Sequence, residues 1–334
     1  MMSARDSFIT LPSSSPLRDA ALVAGTHRAY SNNLNRFLQY TRLSLSSLIQ
    51  LPVAQIDARL ATYFDYQFAH QGSYHNANHT LNGLVYRYPA LKLHLGESRM
   101  RLRGWSNSIV EESHPPITWD LTVLLATVMA KWGHHAEAVG ALLSFDCYLR
   151  VSELTQLRYS DVLMPHDPRA GSVYQSMALR LGVTKTGREQ SVSVDNPAVV
   201  SALCHYMSAF PFLRDDLIFP FSSSTFRHLI TRVADAVGLG HVHYVPHSFR
   251  HGGATHDSLK KFTIEQIMFR GRWKSMESAR RYVQTCRALL IRQEIPAHLH
   301  ELGKVLSTHV PAIMQLLLES VARRGRRVRF RLKR

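Results

Sequence analysis

The chain has little cysteine, a deficit of acidic residues and no long apolar run. Only three cysteines occur in 334 residues, Cys147, Cys204 and Cys286, and no two of them form a C-x-x-C pair. A disulfide framework and a thiolate zinc site are therefore disfavoured, and a reducing compartment is expected. No apolar run reaches the length that spans a bilayer, and the first 17 residues lack the apolar centre of a secretory signal. We therefore expect neither export nor membrane insertion.

The charge balance favours a polyanionic partner. The chain carries 40 Lys and Arg residues against 24 Asp and Glu residues, which gives a formal net charge of +16. A surplus of this size favours binding to a polyanion through the release of counterions. Ribosomal, chromatin and membrane-surface proteins share the trait, so the charge alone does not identify the polyanion.

Composition and periodicity predict two folded regions. We expect a mobile leader over residues 1–20, a helical region over 21–106, a linker over 107–117, a second folded region over 118–293, and a helical tail with a basic end over 294–334. In the first region Tyr30, Leu34, Phe37 and Leu38 fall at helical spacing, and no strand pattern occurs before residue 110. The polar linker is closed by two consecutive prolines, which break a helix.

The second region is predicted to be mainly helical with one β-hairpin. Two β-rich runs flank the stretch TKTGRE, in which Gly187 can turn the chain. Thr263 and Gln266 have the spacing of a helix-capping box, and Ser275 can cap a helix that carries Tyr282. The predicted fold class is therefore mainly α with a small antiparallel β-sheet, in two domains.

Six residues in this region suit an attack on a phosphodiester without a metal. Such chemistry needs a nucleophile, fixed cations beside the non-bridging oxygens, and a proton donor for the leaving 5′ oxygen. The candidates for these roles are Arg150, Lys185, His247, Arg250, Trp273 and Tyr282.

Each candidate has a separate role in this hypothesis. Tyr282 is the nucleophile, and Arg150 and Arg250 each grip phosphate oxygens with a planar fork. His247 can donate to the phosphate or shuttle a proton, because it precedes Arg250 by three residues on one helical face. Trp273 offers an indole N–H and an apolar wall.

Lys185 is the candidate proton donor for the leaving oxygen because of its place in the predicted hairpin. Lys185 lies at the predicted turn, where a flexible amine can reach the leaving oxygen; Lys260, Lys261 and Lys274 are alternatives. Glu153 is expected to orient Arg150 or its helix rather than to act on the substrate.

The motifs around these residues resemble those of the tyrosine recombinase family, the phage-integrase type of site-specific recombinase. The stretches that carry the resemblance are LRVSEL, which contains Arg150, HSFRHGGAT, which contains His247 and Arg250, and a Trp nine residues before a Tyr. The N-terminal helices resemble, more weakly, the helical core-binding domain of that family. Together the two domains would form a C-shaped clamp around duplex DNA.

The resemblance implies a function and its partners. The chain would cleave and rejoin DNA strands through a 3′-phosphotyrosyl intermediate, with no cofactor or metal, as four protomers on two double-stranded DNA sites. Two alternatives stay open: strand relaxation of the type IB topoisomerase kind, and a catalytically inactive DNA-binding derivative of the same fold.

Two features depart from the common family pattern. Many bacterial members have Gly directly before the His or Trp, whereas Arg272 separates Gly271 from Trp273 here. The stretches GRWKS and HSFRHGGAT instead resemble recombinases of eukaryotic mobile elements, the DIRS-type retroelements and Cryptons. The tail after Tyr282 is long, and its helical part is expected to dock on a neighbouring protomer, as family members often do.

Other clusters have weaker functional interpretations. His75 and His79 are one helical turn apart, and His241 and His243 come close before His247, so each group is a possible metal site. A solvated or DNA-facing surface is favoured for the first pair, since no Glu lies between the two. The last twelve residues contain eight basic ones and suit a nuclear-import signal or a DNA-gripping arm. We expect a nuclear protein if the source is eukaryotic and a cytoplasmic one otherwise.

Overall fold

The computed structural model of the chain describes residues 18, 20–109, 113–165, 167, 176–182 and 190–319. The chain divides into two compact units, residues 1–112 and 113–334, and each is considered by itself. None of the described helices combines the length and the apolar character that a membrane span needs.

All the regular secondary structure in the described residues of the first unit is helical. Its elements are α1 (Ala24–Thr41), α2 (Leu45–Ile49), α3 (Val53–Ala69), α4 (Tyr74–Arg87), a 3-10 turn (Pro89–Leu93) and α5 (Gly96–Ser108). The predicted apolar face of α1 buries Leu34 and Phe37 against Leu60 and Phe64 of α3 and Leu81 of α4.

Asp57 of α3 caps the start of α5 from within this core. Its carboxylate accepts hydrogen bonds from the backbone N–H groups of Glu97, at 2.8 Å, and Ser98, at 2.9 Å. These are among the N–H groups that a helix leaves without an intrahelical partner. The buried carboxylate therefore joins two helices by satisfying donors that packing alone would leave unpaired.

The second unit surrounds a larger core with more helices and one small sheet. Its elements are α6 (Trp119–Lys131), α7 (His135–Asp146), α8 (Val151–Leu154), a 3-10 turn (Tyr159–Asp161), β1 (Val162–Leu163), β2 (Met177–Arg180), β3 (Ser191–Val194), α9 (Pro197–Ala209), α10 (Ser223–Ala236), a 3-10 turn (Gly240–Val242), α11 (Pro246–Leu259), α12 (Ile264–Gly271), α13 (Met276–Arg280), α14 (Thr285–Glu294) and α15 (Ala297–Thr308). Residues 310–319 are also helical. The predicted fold class, mainly α with a small antiparallel sheet, is confirmed.

The sheet contains the predicted pair of strands and one more. The strand order is β1-β2-β3, and both pairs are antiparallel, with Met177 opposite Val194 and Arg180 opposite Ser191. Met177 and Val194 are buried, so one face of the pair closes the core of this unit. Lys185 and Gly187, in the connection between β2 and β3, lie outside the described residues.

The helical tail packs on its own unit. Leu299, Val310, Met314 and Leu318 belong to the buried core of the second unit. α15 approaches α6 so closely that a Cβ atom added to Gly303 would lie 2.8 Å from the carbonyl oxygen of Asp120. These buried residues are therefore covered by their own unit, and docking of the helical tail on a neighbouring protomer stays a prediction.

Candidate active site

Helix α11 carries much of the site on one buried face. His247, His251 and Thr255 are spaced by four residues and therefore lie along one side of the helix. Two glycines let this helix pack tightly. A Cβ atom on Gly252 would lie 2.1 Å from the carbonyl oxygen of Ile117, and one on Gly253 would meet the backbone of Phe145 at the same distance.

Arg250 is fully buried on α11 and reaches across the site. Its Nη2 donates to the carbonyl oxygen of Gly271 at 2.8 Å, and its Nη1 donates to the carbonyl oxygen of Tyr148. The guanidinium carbon lies 4.5 Å from the centroid of the Trp273 ring and 5.0 Å from that of Tyr282. Burial, followed by the charge of nearby Arg150, lowers the pKa of Arg250. An arginine nevertheless stays protonated at neutral pH.

Arg150 precedes α8 and is held by Glu153. Its Nη1 lies 2.5 Å from Glu153 Oε1, and its backbone N–H donates to Oε2 at 2.9 Å. These contacts agree with the prediction that Glu153 orients Arg150 or its helix. Glu153 Oε2 also accepts from Arg272 Nη2 at 3.0 Å, so two arginines share one buried carboxylate. We call Arg150, Arg250, Arg272 and Glu153 the arginine cluster.

Trp273 and Tyr282 lie against each other beside Arg250. Their ring centroids are 4.7 Å apart. Gly271 is required here, because an added Cβ would lie 1.9 Å from Cζ3 of Trp273. Ser275 caps α13 as predicted, since its hydroxyl accepts from the N–H of Ser278 at 3.2 Å.

Tyr282 follows α13 rather than lying on it. The helix ends at Arg280, and Tyr282 occupies the turn before α14. The prediction that Tyr282 lies on the capped helix is therefore wrong. The turn is fixed by Thr255, whose hydroxyl donates to the carbonyl oxygen of Tyr282 at 3.2 Å and accepts from the N–H of Gln284 at 3.0 Å.

Three histidines lie near one another, and one of them, His251, contacts Tyr282. The His251 ring stacks on the Tyr282 ring with centroids 4.6 Å apart, and its Nδ1 accepts from Gln284 Nε2 at 3.0 Å. The His114 ring lies 5.7 Å from that of His247 and 6.4 Å from that of His251, between centroids. We call His114, His247 and His251 the histidine cluster.

These histidines are neutral at neutral pH. Burial, followed by the charges of His114 and Arg250, lowers the pKa of His247 to about 4. Burial, followed by the charges of His247 and His114, lowers that of His251 to about 4 as well. A neutral imidazole keeps one nitrogen that donates and one that accepts. The cluster can therefore both donate to an oxyanion and take up a proton.

The site lies in a segment that matches a known family. The model of the phage integrase family matches residues 124–287. This segment is a phage integrase domain. The match supports the predicted enzyme, a tyrosine recombinase or integrase that acts on DNA.

Solved structures share the fold of this integrase domain and its neighbouring unit. The Tn1549 transposon integrase in complex with transposon right end DNA is 15% identical, with a TM-score of 0.58, and the alignment covers 84% of this chain and 97% of that one. The XerH site-specific recombinase bound to palindromic difH substrate, a post-cleavage complex, is 13% identical with a TM-score of 0.54, over 80% of this chain and 78% of that one. No curated protein sequence matches the chain.

Five of the six predicted site residues come together in the integrase domain. Arg150, His247, Arg250, Trp273 and Tyr282 surround one buried region through the contacts given above. The sixth, Lys185, lies outside the described residues.

Sequence reasoning missed four residues of this site. Those residues are His114, His251, Thr255 and Arg272. The four-residue spacing from His247 along α11 is a signal that could have found two of them, whereas His114 and Arg272 reach the site only through the tertiary fold.

The candidate metal sites are not assembled. In the described part of the chain, no three His, Cys, Asp or Glu side chains approach one another as a metal site requires. The rings of His75 and His79 do lie side by side, with centroids 3.9 Å apart. Burial, followed by the charge of His75, lowers the pKa of His79.

Proposed function

We propose that this chain cleaves and rejoins duplex DNA at specific sites, with Tyr282 as the nucleophile. One observation supports this most strongly. Arg250, a fully buried cation, holds its guanidinium 5.0 Å from the Tyr282 ring centroid, and its Nε is buried without a partner among the described residues. A buried donor of this kind is costly unless a ligand completes it. A phosphate oxygen beside Tyr282 would do so.

The proposed step exchanges the phosphodiester of DNA for a phosphodiester that links DNA to Tyr282. The Tyr282 oxygen bonds to phosphorus as the bond from phosphorus to the 5′ oxygen breaks, which leaves a 3′-phosphotyrosyl link and a free 5′-hydroxyl. The negative charge on the non-bridging oxygens grows in the transition state, and Arg150 and Arg250 stabilise it. Attack by a 5′-hydroxyl, from the same or a partner duplex, reverses the step.

Proton transfers complete the step. The phenolic proton of Tyr282 passes to a basic group, and the leaving 5′ oxygen takes up a proton. His247 is neutral at neutral pH and can donate to a phosphate oxygen or accept the phenolic proton. We assign the protonation of the leaving oxygen to Lys185. The indole N–H of Trp273, which is buried and has no partner among the described residues, points to a further phosphate contact.

The decisive experiment uses a nicked suicide duplex, which releases a short fragment after cleavage and so prevents religation. The wild-type protein should form a covalent protein–DNA adduct, and Tyr282→Phe should form none, because it lacks the attacking oxygen. Tyr159→Phe is the matched control, since Tyr159 lies in the 3-10 turn before β1. It should trap DNA as the wild type does. The proposal fails if folded wild-type protein gives no adduct or if Tyr282→Phe still gives one.

The outcome on DNA separates recombination from its alternatives. Strand exchange between two sites requires more than one protomer, and we propose a homotetramer on two duplexes. Relaxation of a supercoiled plasmid without exchange would instead indicate topoisomerase-like activity, and sequence-selective DNA binding without an adduct would indicate an inactive derivative. A two-site recombination assay, with sizing of the protein–DNA complex, distinguishes these outcomes.

We also propose that the chain belongs with the recombinases of DIRS-type or Crypton elements. The GRW stretch around Arg272 supports this assignment, because it departs from the Gly that directly precedes the His or Trp in many bacterial members. Nuclear localisation would follow for a eukaryotic source, with the basic C-terminal residues as its signal. A fluorescent fusion with and without the last twelve residues tests this.

A further inference from the structure

Arg272 occupies a backbone conformation that suits glycine better. It ends α12 with φ at 57°, in the left-handed region. That conformation costs a residue with a Cβ roughly 1–2 kcal/mol relative to the right-handed one. Glycine would avoid this cost. An arginine at this position therefore calls for an explanation in the contacts of its side chain.

The side chain of Arg272 turns into the protein instead of into solvent. Its exposed fraction is 6%. Nη2 donates to Glu153 Oε2 at 3.0 Å, and Nη1 donates to the carbonyl oxygens of Cys147 at 3.2 Å and Arg270 at 3.1 Å. These bonds connect the end of α12, which leads to Trp273, with the segment that leads to Arg150.

The Glu153 carboxylate binds both Arg150 and Arg272. Its Oε1 pairs with the Arg150 guanidinium at 2.5 Å, while its Oε2 accepts from the Arg150 backbone and from Arg272. Because Arg272 occupies Oε2, the carboxylate binds the Arg150 guanidinium through one oxygen and not through both. The other N–H groups of Arg150, which has five, then stay available for a phosphate.

Charge supports the same conclusion. The arginine cluster contains three guanidinium groups and one carboxylate, and it therefore carries two net positive charges. A phosphodiester carries one negative charge, and a second develops on its oxygens as the nucleophile adds. Without Arg272, Glu153 would leave the cluster with only one net positive charge against that transition state.

We propose that Arg272 is a positioning residue for strand cleavage. It holds Glu153, and through Glu153 it holds Arg150 in the orientation that binds the phosphate. This inference rests on the proposed function of Tyr282.

The test is Arg272→Gly, which removes the side chain and relaxes the backbone. With a nicked suicide duplex and saturating protein, we expect the rate of adduct formation to fall about 10- to 100-fold, the size of effect that misplacing a reacting group can produce. DNA affinity in a Tyr282→Phe background and the melting temperature should change little. Arg272→Met, which keeps part of the aliphatic stem, should show the same fall in the rate of adduct formation. If the glycine variant does not fold, the rate of the methionine variant tests the proposal.

The pH profile separates positioning from a general structural role. Burial raises the pKa of Glu153, but Arg272, the Arg150 backbone bond and the charges of Arg150 and Arg250 outweigh it and hold that pKa below its ordinary value. Removal of Arg272 should raise it. Adduct formation by Arg272→Gly should therefore fall further between about pH 7 and pH 5, as Glu153 takes up a proton. Arg272→Lys, which keeps the charge, should remove most of this added dependence.

Arg42→Gly is the matched control. Arg42 also ends a helix with a left-handed φ of 54°, but its side chain is exposed and lies in the first unit. Its replacement should leave the cleavage rate at saturating protein unchanged. The inference is overturned if Arg272→Gly and Arg272→Met cleave at the wild-type rate with the wild-type pH profile. Failure of the wild type to form any adduct would instead overturn the proposed function.

Discussion

The arginine cluster and the histidine cluster both have a member beside the Tyr282 ring, Arg250 and His251, and they differ in how their charge is fixed. The arginines are bound to backbone carbonyls and to one carboxylate, and their charge does not change near neutral pH. The histidines have few polar partners and lose their charge through burial, which lowers the pKa of both His247 and His251 to about 4.

This difference assigns different tasks to the two clusters. A growing negative charge on phosphate needs cations that are already in place, because reorganisation during the reaction would raise the barrier. A proton transfer needs a group that can change its protonation state, and a neutral imidazole can do so. We therefore expect substitution of the fully buried Arg250 to affect both cleavage and folding, and substitutions in the histidine cluster to act mainly through pH.

The largest effect should come from Arg250→Met. This change leaves the carbonyl oxygen of Gly271 without its donor, leaves that of Tyr148 with only the longer bond from Arg272, and removes the cation beside the Tyr282 ring. We expect adduct formation to fall by about 1,000-fold, as for loss of a key oxyanion contact. The free energy of unfolding should decrease by about 3 kcal/mol, since buried acceptors lose their partners. Suicide-duplex kinetics and urea unfolding measure the two effects.

Arg250→Lys separates charge from geometry in the same cluster. A lysine keeps the charge but lacks the planar fork that reaches both carbonyl oxygens. It should recover part of the stability and little of the cleavage rate. Equal stability of Arg250→Met and the wild type would show that the buried arginine does not hold the site together, and the comparison between the clusters would then fail.

The sequence predicts the members of the arginine cluster to different extents. Arg250 lies three residues after His247 on one helix, where helical spacing makes the two neighbours. The role of Arg272 does not follow, since its partner Glu153 lies 119 residues earlier in the chain. In the sequence the same residue reads only as a departure from the family pattern.

Tyr282 shows a second limit of the sequence. Tyr282 follows Trp273 by nine residues, and the two rings do lie together. The helix between them, however, ends at Arg280. The turn that follows is fixed by Thr255 on another helix, and helical periodicity within α13 holds no information about that bond. The fold class and the hairpin were predictable because they depend on local patterns of apolar residues.

A smaller effect on cleavage is expected from Thr255→Val. The change preserves the shape of a buried side chain but removes the hydroxyl that bonds both to the Tyr282 carbonyl oxygen and to the Gln284 N–H. The turn around Tyr282 should then sample other positions, and adduct formation should fall about 10-fold. Single-turnover cleavage of the suicide duplex measures this, with binding measured separately in a Tyr282→Phe background.

Thr255→Ser keeps the hydroxyl and should restore most of the rate. If Thr255→Val cleaves as fast as the wild type, the face of α11 that carries the histidines has no part in placing the nucleophile. If both variants are equally slow, the hydroxyl and the methyl group are both required, and loss of the two bonds alone does not explain the effect.

The smallest effect on cleavage is expected in the histidine cluster, where the measured quantity is the pH dependence of stability. The pKa of His251 is about 4 in the folded chain and about 6.5 when unfolded. The unfolded chain therefore binds the proton first as pH falls, so stability that is fully present above about pH 6.5 is lost progressively toward pH 4. His251→Asn should remove this contribution. We expect the loss of unfolding free energy between about pH 7.5 and pH 5 to be about 2 kcal/mol smaller in the variant than in the wild type. Urea unfolding at both pH values measures it, and an equal loss in the two proteins would mean that His251 titrates as an ordinary exposed histidine and that burial does not set the charge of this cluster.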